Sequence, residues 1–128
     1  MAIKYNVVSK INPLDRTAAP KFYGQAVHPD KINFKQLSRE ISEISTTVSD
    51  GDTYAVLITA SKLIKNYLDK GYIVELEDLG SFYVNISSEG AETPERFHHN
   101  LIKSAKIIFK PATLLATMLK SLSYEKIK

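Results

Sequence analysis

The run Leu76-Glu77-Asp78-Leu79-Gly80-Ser81-Phe82 constrains this chain more than any other segment, because of what stands on either side of it. Two amphipathic helical patterns precede it, the second stopped by Lys70-Gly71. A long polar segment follows, then the apolar stretch Ile107-Ile108-Phe109, then Lys110-Pro111 opening a last helical pattern. The order is helix, helix, tight hairpin, protruding arm, return strand, helix. Such an order predicts an α+β chain.

The helical patterns carry their own punctuation. Asn33 is a good N-cap with Gln36 three residues on, and Phe34, Leu37, Ile41 and Ile44 make one apolar stripe. Ser45-Thr46-Thr47 is expected to end that helix, because hydroxyl and β-branched residues compete with it. Ser49 with Asp52 opens a second helix that runs through Tyr54, Leu57, Ile58, Leu63, Ile64, Tyr67 and Leu68. Gly71 is its left-handed stop. Val56 and Ala60 widen its apolar face beyond what one short helix can cover.

Tyr72–Leu76 and Ser81–Ser87 read as strands around a turn in which Gly80 supplies the backbone freedom. Phe82, Val84 and Ile86 fall on one face, Tyr83 and Asn85 on the other. Residues 88–100 hold turn formers and charges without a core pattern. Lys103–Lys110 alternates again with Ala105, Ile107 and Phe109 inward, and Pro111 suits the first turn of a helix. That helix is expected to bury Leu114, Leu115, Met118, Leu119 and Leu122.

Residues 1–31 form a separate extended piece. Ile3, Tyr5 and Val7 alternate with polar neighbours, Pro13 and Pro20 fit a loop, and Phe22–Val27 is a second strand candidate. A two-stranded hairpin is marginal alone, so this piece should dock on the main domain or a partner subunit. The expected division is a β-hairpin appendage over 1–31 and a main domain over 32–128, with the arm at about 85–106.

Charge and composition narrow the function. The net charge is +3, and residues 1–31 account for all of it through Lys4, Lys10, Arg16, Lys21 and Lys31. A basic flank can steer a chain toward a polyanion, although a mild excess of lysine is also an ordinary solvated surface. No segment has the ~20 apolar residues that span a bilayer, and no secretory signal is expected. Without cysteine there is no disulfide or thiolate chemistry, which suits a cytoplasmic protein. No phosphate-binding glycine loop and no nucleophile set beside a base and an acid is visible, so an enzyme, a cofactor and a small-molecule substrate are not expected. His28, His98 and His99 lack partners for a metal site.

The hairpin and the return strand resemble those of the bacterial HU and integration host factor proteins, from about Asn33 to Leu122. Their usual Gly-Phe-Gly turn followed by Thr or Ser and Phe is matched by Asp78-Leu79-Gly80-Ser81-Phe82, with the first glycine lost. Their helix-opening Phe-Arg/Lys-Pro is matched by Phe109-Lys110-Pro111, and Pro94 occupies the place of their arm-tip proline. An extension such as residues 1–31 is absent from ordinary HU and marks a divergent branch. The resemblance implies an intertwined homodimer, completed by a second copy. It also implies an architectural, nucleoid-associated protein that bends double-stranded DNA through backbone and minor-groove contact.

Candidate DNA-binding residues on that reading are Lys110, Lys103, Lys106, Arg96, Pro94 and Ser81. Pro94 is either an intercalating wedge or an ordinary loop proline. Lys110 at a helix start sits beside N–H groups that favour anions, and Ser81 can donate to a phosphate or cap the turn. The arm from Asn85 to Phe109 balances Arg96, Lys103 and Lys106 against Glu89, Glu92 and Glu95. Because phosphate neutralisation supplies much of such affinity, binding weaker than that of ordinary HU is expected. The alternative is an HU-scaffold dimer that has exchanged DNA for a protein partner.

Overall fold

The computed structural model describes residues 2–45 and 47–127; the Thr46 part of the expected helix stop lies outside them. The chain is α+β and divides into two compact units, Asn33–Thr117 and residues 1–32 with 118–128.

In the first of these, α1 (Phe34–Ile44) and α2 (Asp50–Asp69) begin at the caps read from the sequence. Asn33 Oδ1 accepts from the Gln36 N–H at 3.0 Å, and Ser49 Oγ accepts from the Asp52 N–H at 3.0 Å. Each cap satisfies a backbone donor that has no partner inside its helix. α2 closes with a Schellman arrangement. The Tyr72 N–H reaches the Tyr67 carbonyl and the Gly71 N–H reaches that of Leu68, with Gly71 at φ +87°. The Tyr67 and Tyr72 rings meet edge to face at 5.5 Å, the apolar contact that accompanies this cap.

Three antiparallel strands follow in the order β3 (Val74–Glu75), β4 (Gly80–Ser88), β5 (Ile102–Pro111). β3 is shorter than the expected Tyr72–Leu76, because Tyr72 is taken up by the helix cap and Leu76 by the turn. Phe82 lies opposite Phe109, Val84 opposite Ile107 and Ile86 opposite Ala105, so the apolar residues of both strands share one face as expected. The Phe82 and Phe109 rings are 4.9 Å apart. Pro111 ends β5 rather than opening the helix, and α3 (Thr113–Lys120) begins two residues later. The ladder persists to the pair Gly80–Pro111, and Ala112 and Leu114 donate to the carbonyls of Leu79 and Asp78.

The turn between β3 and β4 departs from simple glycine usage. Glu77, not Asp78, takes the left-handed conformation, at φ +48°. A side chain there costs about 1 kcal/mol. Glu77→Gly should therefore raise stability by about 0.5–1 kcal/mol in a urea titration. A destabilised variant would show that the Glu77 side chain has a compensating role.

The other unit is a sheet of order β2-β1-β6. β1 (Ile3–Lys10) and β2 (Lys21–Ala26) form the expected hairpin. Its loop is held by side chains that mimic backbone turns: Asn12 accepts from Leu14 N–H, and Asp15 accepts from both the hydroxyl and the N–H of Thr17. Those bonds, the hydroxyl's first, hold the Asp15 carboxyl below its usual pKa. β6 (Tyr124–Lys126) runs parallel to β1, with Ile3 opposite Tyr124 and Tyr5 opposite Lys126. The C-terminus thus supplies the third strand that a lone hairpin needs.

No apolar side chain among the described residues is buried; the buried residues are Ser38, Thr53 and Gly80. Ser38 and Thr53 donate their hydroxyls to the carbonyls of Phe34 and Ser49 four residues back, which satisfies both without another partner. The stripe expected to be buried on α3 is largely open, with Leu114, Met118 and Leu119 all exposed. Val56, Leu63 and Tyr67 on α2 and Val84, Ile86 and Ile107 on the sheet are open as well. An open cleft of about 450 Å³ runs between α2 and this sheet, lined by Ile64, Leu68, Phe82, Val84 and Ile107.

Candidate nucleic-acid interface

The β4–β5 ribbon carries the candidate residues and sorts them by face. Successive residues of a strand alternate sides. Lys110 lies opposite Ser81 and Lys106 opposite Asn85, so both lysines share the polar face with Ser81, Tyr83 and Asn85. Phe109, Ile107 and Ala105 occupy the other face. Ser81 also pairs with Glu75 of β3, and among the described residues its hydroxyl makes no side-chain hydrogen bond. Lys110 stands inside β5, three residues before α3, so the expected help from helix N–H groups does not apply to it.

The ladder stops at the pair Ser88–Ile102, with a bulge beside Ser87. Lys103 falls at that irregularity and leaves the Lys106–Lys110 series. Its Nζ instead lies 3.3 Å from Glu89 Oε1. Bulges commonly re-aim a side chain in this way. Beyond it, the Glu89 N–H donates to the Leu101 carbonyl and closes the neck of the tip. The tip is not extended ribbon but two 3-10 turns, Pro94–Arg96 and His99–Leu101. Pro94 opens the first of them, where a missing N–H costs nothing, and it is exposed. Arg96 Nη1 sits 3.6 Å from Glu92 Oε2 within the same tip.

Two of the four candidate bases are therefore partnered by the arm's own glutamates. Both pairs are well exposed, so each contributes at most about 1 kcal/mol. Lys106 and Lys110 have no ion-pair partner among the described residues. The site that the structure assembles is thus a pair of free lysines along a ribbon, below a tip in which Glu89, Glu92 and Glu95 outnumber Arg96 and Lys103. Two free ammonium groups suit contact with an anion; among the described residues no cluster of His, Cys, Asp or Glu is suited to a metal.

A helical pair, a three-stranded sheet drawn out into a two-stranded arm and a closing helix define an HU-like fold. The chain belongs to the HU-HIG family, described as an HU domain fused to wHTH, Ig or glycine-rich motif, whose model matches residues 1–126. Among solved structures, the chain is similar to a Bacteroides vulgatus protein provisionally described as a bacterial DNA-binding protein. The two share 12% identity and a TM-score of 0.64 over 98% of this chain and 48% of that one, so this chain spans about half its length. It is also similar to Anabaena HU in a cocrystal with DNA, at 20% identity and a TM-score of 0.54, over 70% of this chain and 99% of HU. No curated protein matches the sequence. Both likenesses establish the fold.

Proposed function

We propose that this chain is an architectural DNA-binding protein that contacts the backbone and minor groove of double-stranded DNA with little sequence preference and bends it. The observation that carries this reading is the ribbon arm of an HU fold with Lys106 and Lys110 unpaired along its polar face. The likeness to an HU solved with DNA supports it. Phosphate contacts position a protein on the duplex, and deformability rather than base edges sets preference. A homodimer supports the same reading, because a second copy would cover the open apolar faces of α2 and the sheet. Lys103, Arg96, Pro94 and Ser81 are secondary contacts on this view, with Lys103 and Arg96 exchanging glutamate for phosphate. The protein acts in the nucleoid, in the cytoplasm, as a binding module.

The acidic tip, with three glutamates against Arg96 and Lys103, favours one competing reading, an HU-scaffold dimer whose arms and extension hold a protein partner. A mobility-shift series over salt separates them. DNA binding should appear at about 50 mM salt and fall steeply as salt rises. Absence of any shift at that salt would favour the protein-partner reading.

A further inference from the structure

Charge is distributed between the two units in opposite senses. Asn33–Thr117 holds nine Lys and Arg against eleven Asp and Glu, a net of −2. Residues 1–32 with 118–128 hold eight against three, a net of +5. The HU unit, with its arm, is the acidic part of this chain.

The β2-β1-β6 sheet then sorts its residues by face. Cross-strand register places Ile3, Tyr5, Val7, Phe22, Ala26 and Tyr124 on one side, with Ser9, Gly24 and a single base, Lys126, opposite Tyr5. Lys4, Lys10, Lys21 and Tyr23 lie on the other, with Asn6, Val8, Gln25 and a single acid, Glu125, opposite Lys4. Lys10 Nζ leans over the Tyr23 ring, 5.8 Å from its centre, which is consistent with their shared side. All three lysines are exposed, and none has an ion-pair partner among the described residues.

Lys10 and Lys21 are direct cross-strand partners. Like charges set opposite each other destabilise a ladder unless an anion lies between them. Protection of a sheet edge explains Lys21 on the edge strand β2, and Lys10, whose end of β1 lies beyond the Ile3–Tyr5 stretch that β6 pairs, but Lys4 stands where β1 is bonded on both sides. Lys4 and Lys10 are six residues apart on one strand, about 20 Å. That length suits a row of phosphates rather than one small anion.

We infer that the Lys4–Lys10–Lys21–Tyr23 face of the terminal sheet is a second nucleic-acid contact, binding the phosphate backbone of duplex DNA in place of the charge the arm lacks. The inference rests on the DNA-binding reading above and assigns that reading a surface outside the HU unit. Contacts to phosphate carry no base sequence, so this face adds affinity and salt dependence without adding specificity.

The test uses the full chain and a duplex of random sequence. Lys4, Lys10 and Lys21 are changed together to Glu, and, as a control of equal charge, so are Lys35, Lys62 and Lys70 of the HU unit. The sheet variant should lose about 10-fold or more in affinity at about 50 mM salt, and its salt slope should shallow by about 0.9 for each phosphate no longer neutralised. The control should lose much less. Wild-type affinity and slope in the sheet variant would overturn the inference and leave the DNA reading standing. Equal losses in both variants would overturn it too, since net charge alone would then account for the effect. A wild-type chain that binds no duplex overturns the DNA reading and the inference together. Should the glutamates unfold the sheet by circular dichroism, the Lys→Gln triple variant decides: unchanged affinity and slope reject the inference.

Discussion

Gly80→Ala should destabilise the fold by about 3 kcal/mol or more, the largest effect expected of any single methyl group in the chain. Gly80 is buried at φ +154°, a conformation that L side chains rarely adopt. A Cβ there would stand 2.5 Å from Phe109 Cζ and 2.6 Å from the Lys110 carbonyl oxygen. Strain in that region costs roughly 1–3 kcal/mol. Overpacking against a ring and a backbone atom adds about the same. The ring is held by Phe82, and the carbonyl belongs to the ladder, so neither moves cheaply. Gly51→Ala provides the comparison, because nothing lies within 4 Å of a Cβ at Gly51. That change should be neutral or stabilising by up to about 1 kcal/mol. Thermal or urea unfolding of the two variants checks the contrast, and a Gly80→Ala protein as stable as the parent would refute the packing described for the hairpin.

Ile107→Glu is the second large effect, and it distinguishes a dimer from a lone chain. Ile107 is 62% exposed in the single chain, and a charged substitution at such a site ordinarily changes stability by about 0.5 kcal/mol or less. If a second copy covers the apolar side of the ribbon, the same glutamate becomes an unpaired buried charge that costs about 3–5 kcal/mol. Sedimentation should show the parent as a dimer throughout the micromolar range and the variant as monomeric or unfolded. A parent that sediments as a stable folded monomer, or a variant that assembles and unfolds like the parent, would remove the dimer from the proposed function.

The arm shows why charge counted along a sequence is a poor guide to a binding surface. Arg96, Lys103, Lys106 and Lys110 look equivalent as letters. Ladder register separates them: two share a polar face, one is displaced at a bulge, and one lies in a 3-10 tip. The bulge has no sequence signature here, because Ser87-Ser88 and Ser104 are compatible with regular pairing. The ion pairs Lys103–Glu89 and Arg96–Glu92 depend on how the neck and the tip close.

By itself the sequence determined what is local. The Asn33 and Ser49 caps, the Gly71 stop, the hairpin at Gly80 and the apolar alternation of β4 and β5 are all written within a few residues, where backbone sterics and short-range hydrogen bonds decide the outcome. Only the tertiary structure decided what joins distant segments. Tyr124–Lys126 has no strand pattern of its own and becomes β6 because β1 offers it an edge. Pro111 reads as a helix opener and ends a strand instead, because the partner strand continues to Gly80. The basic and apolar faces of the terminal sheet likewise exist only once the register of β1, β2 and β6 is set. Pairing between segments far apart in the chain is chosen by which partner is present to satisfy backbone groups, and no local pattern encodes that partner.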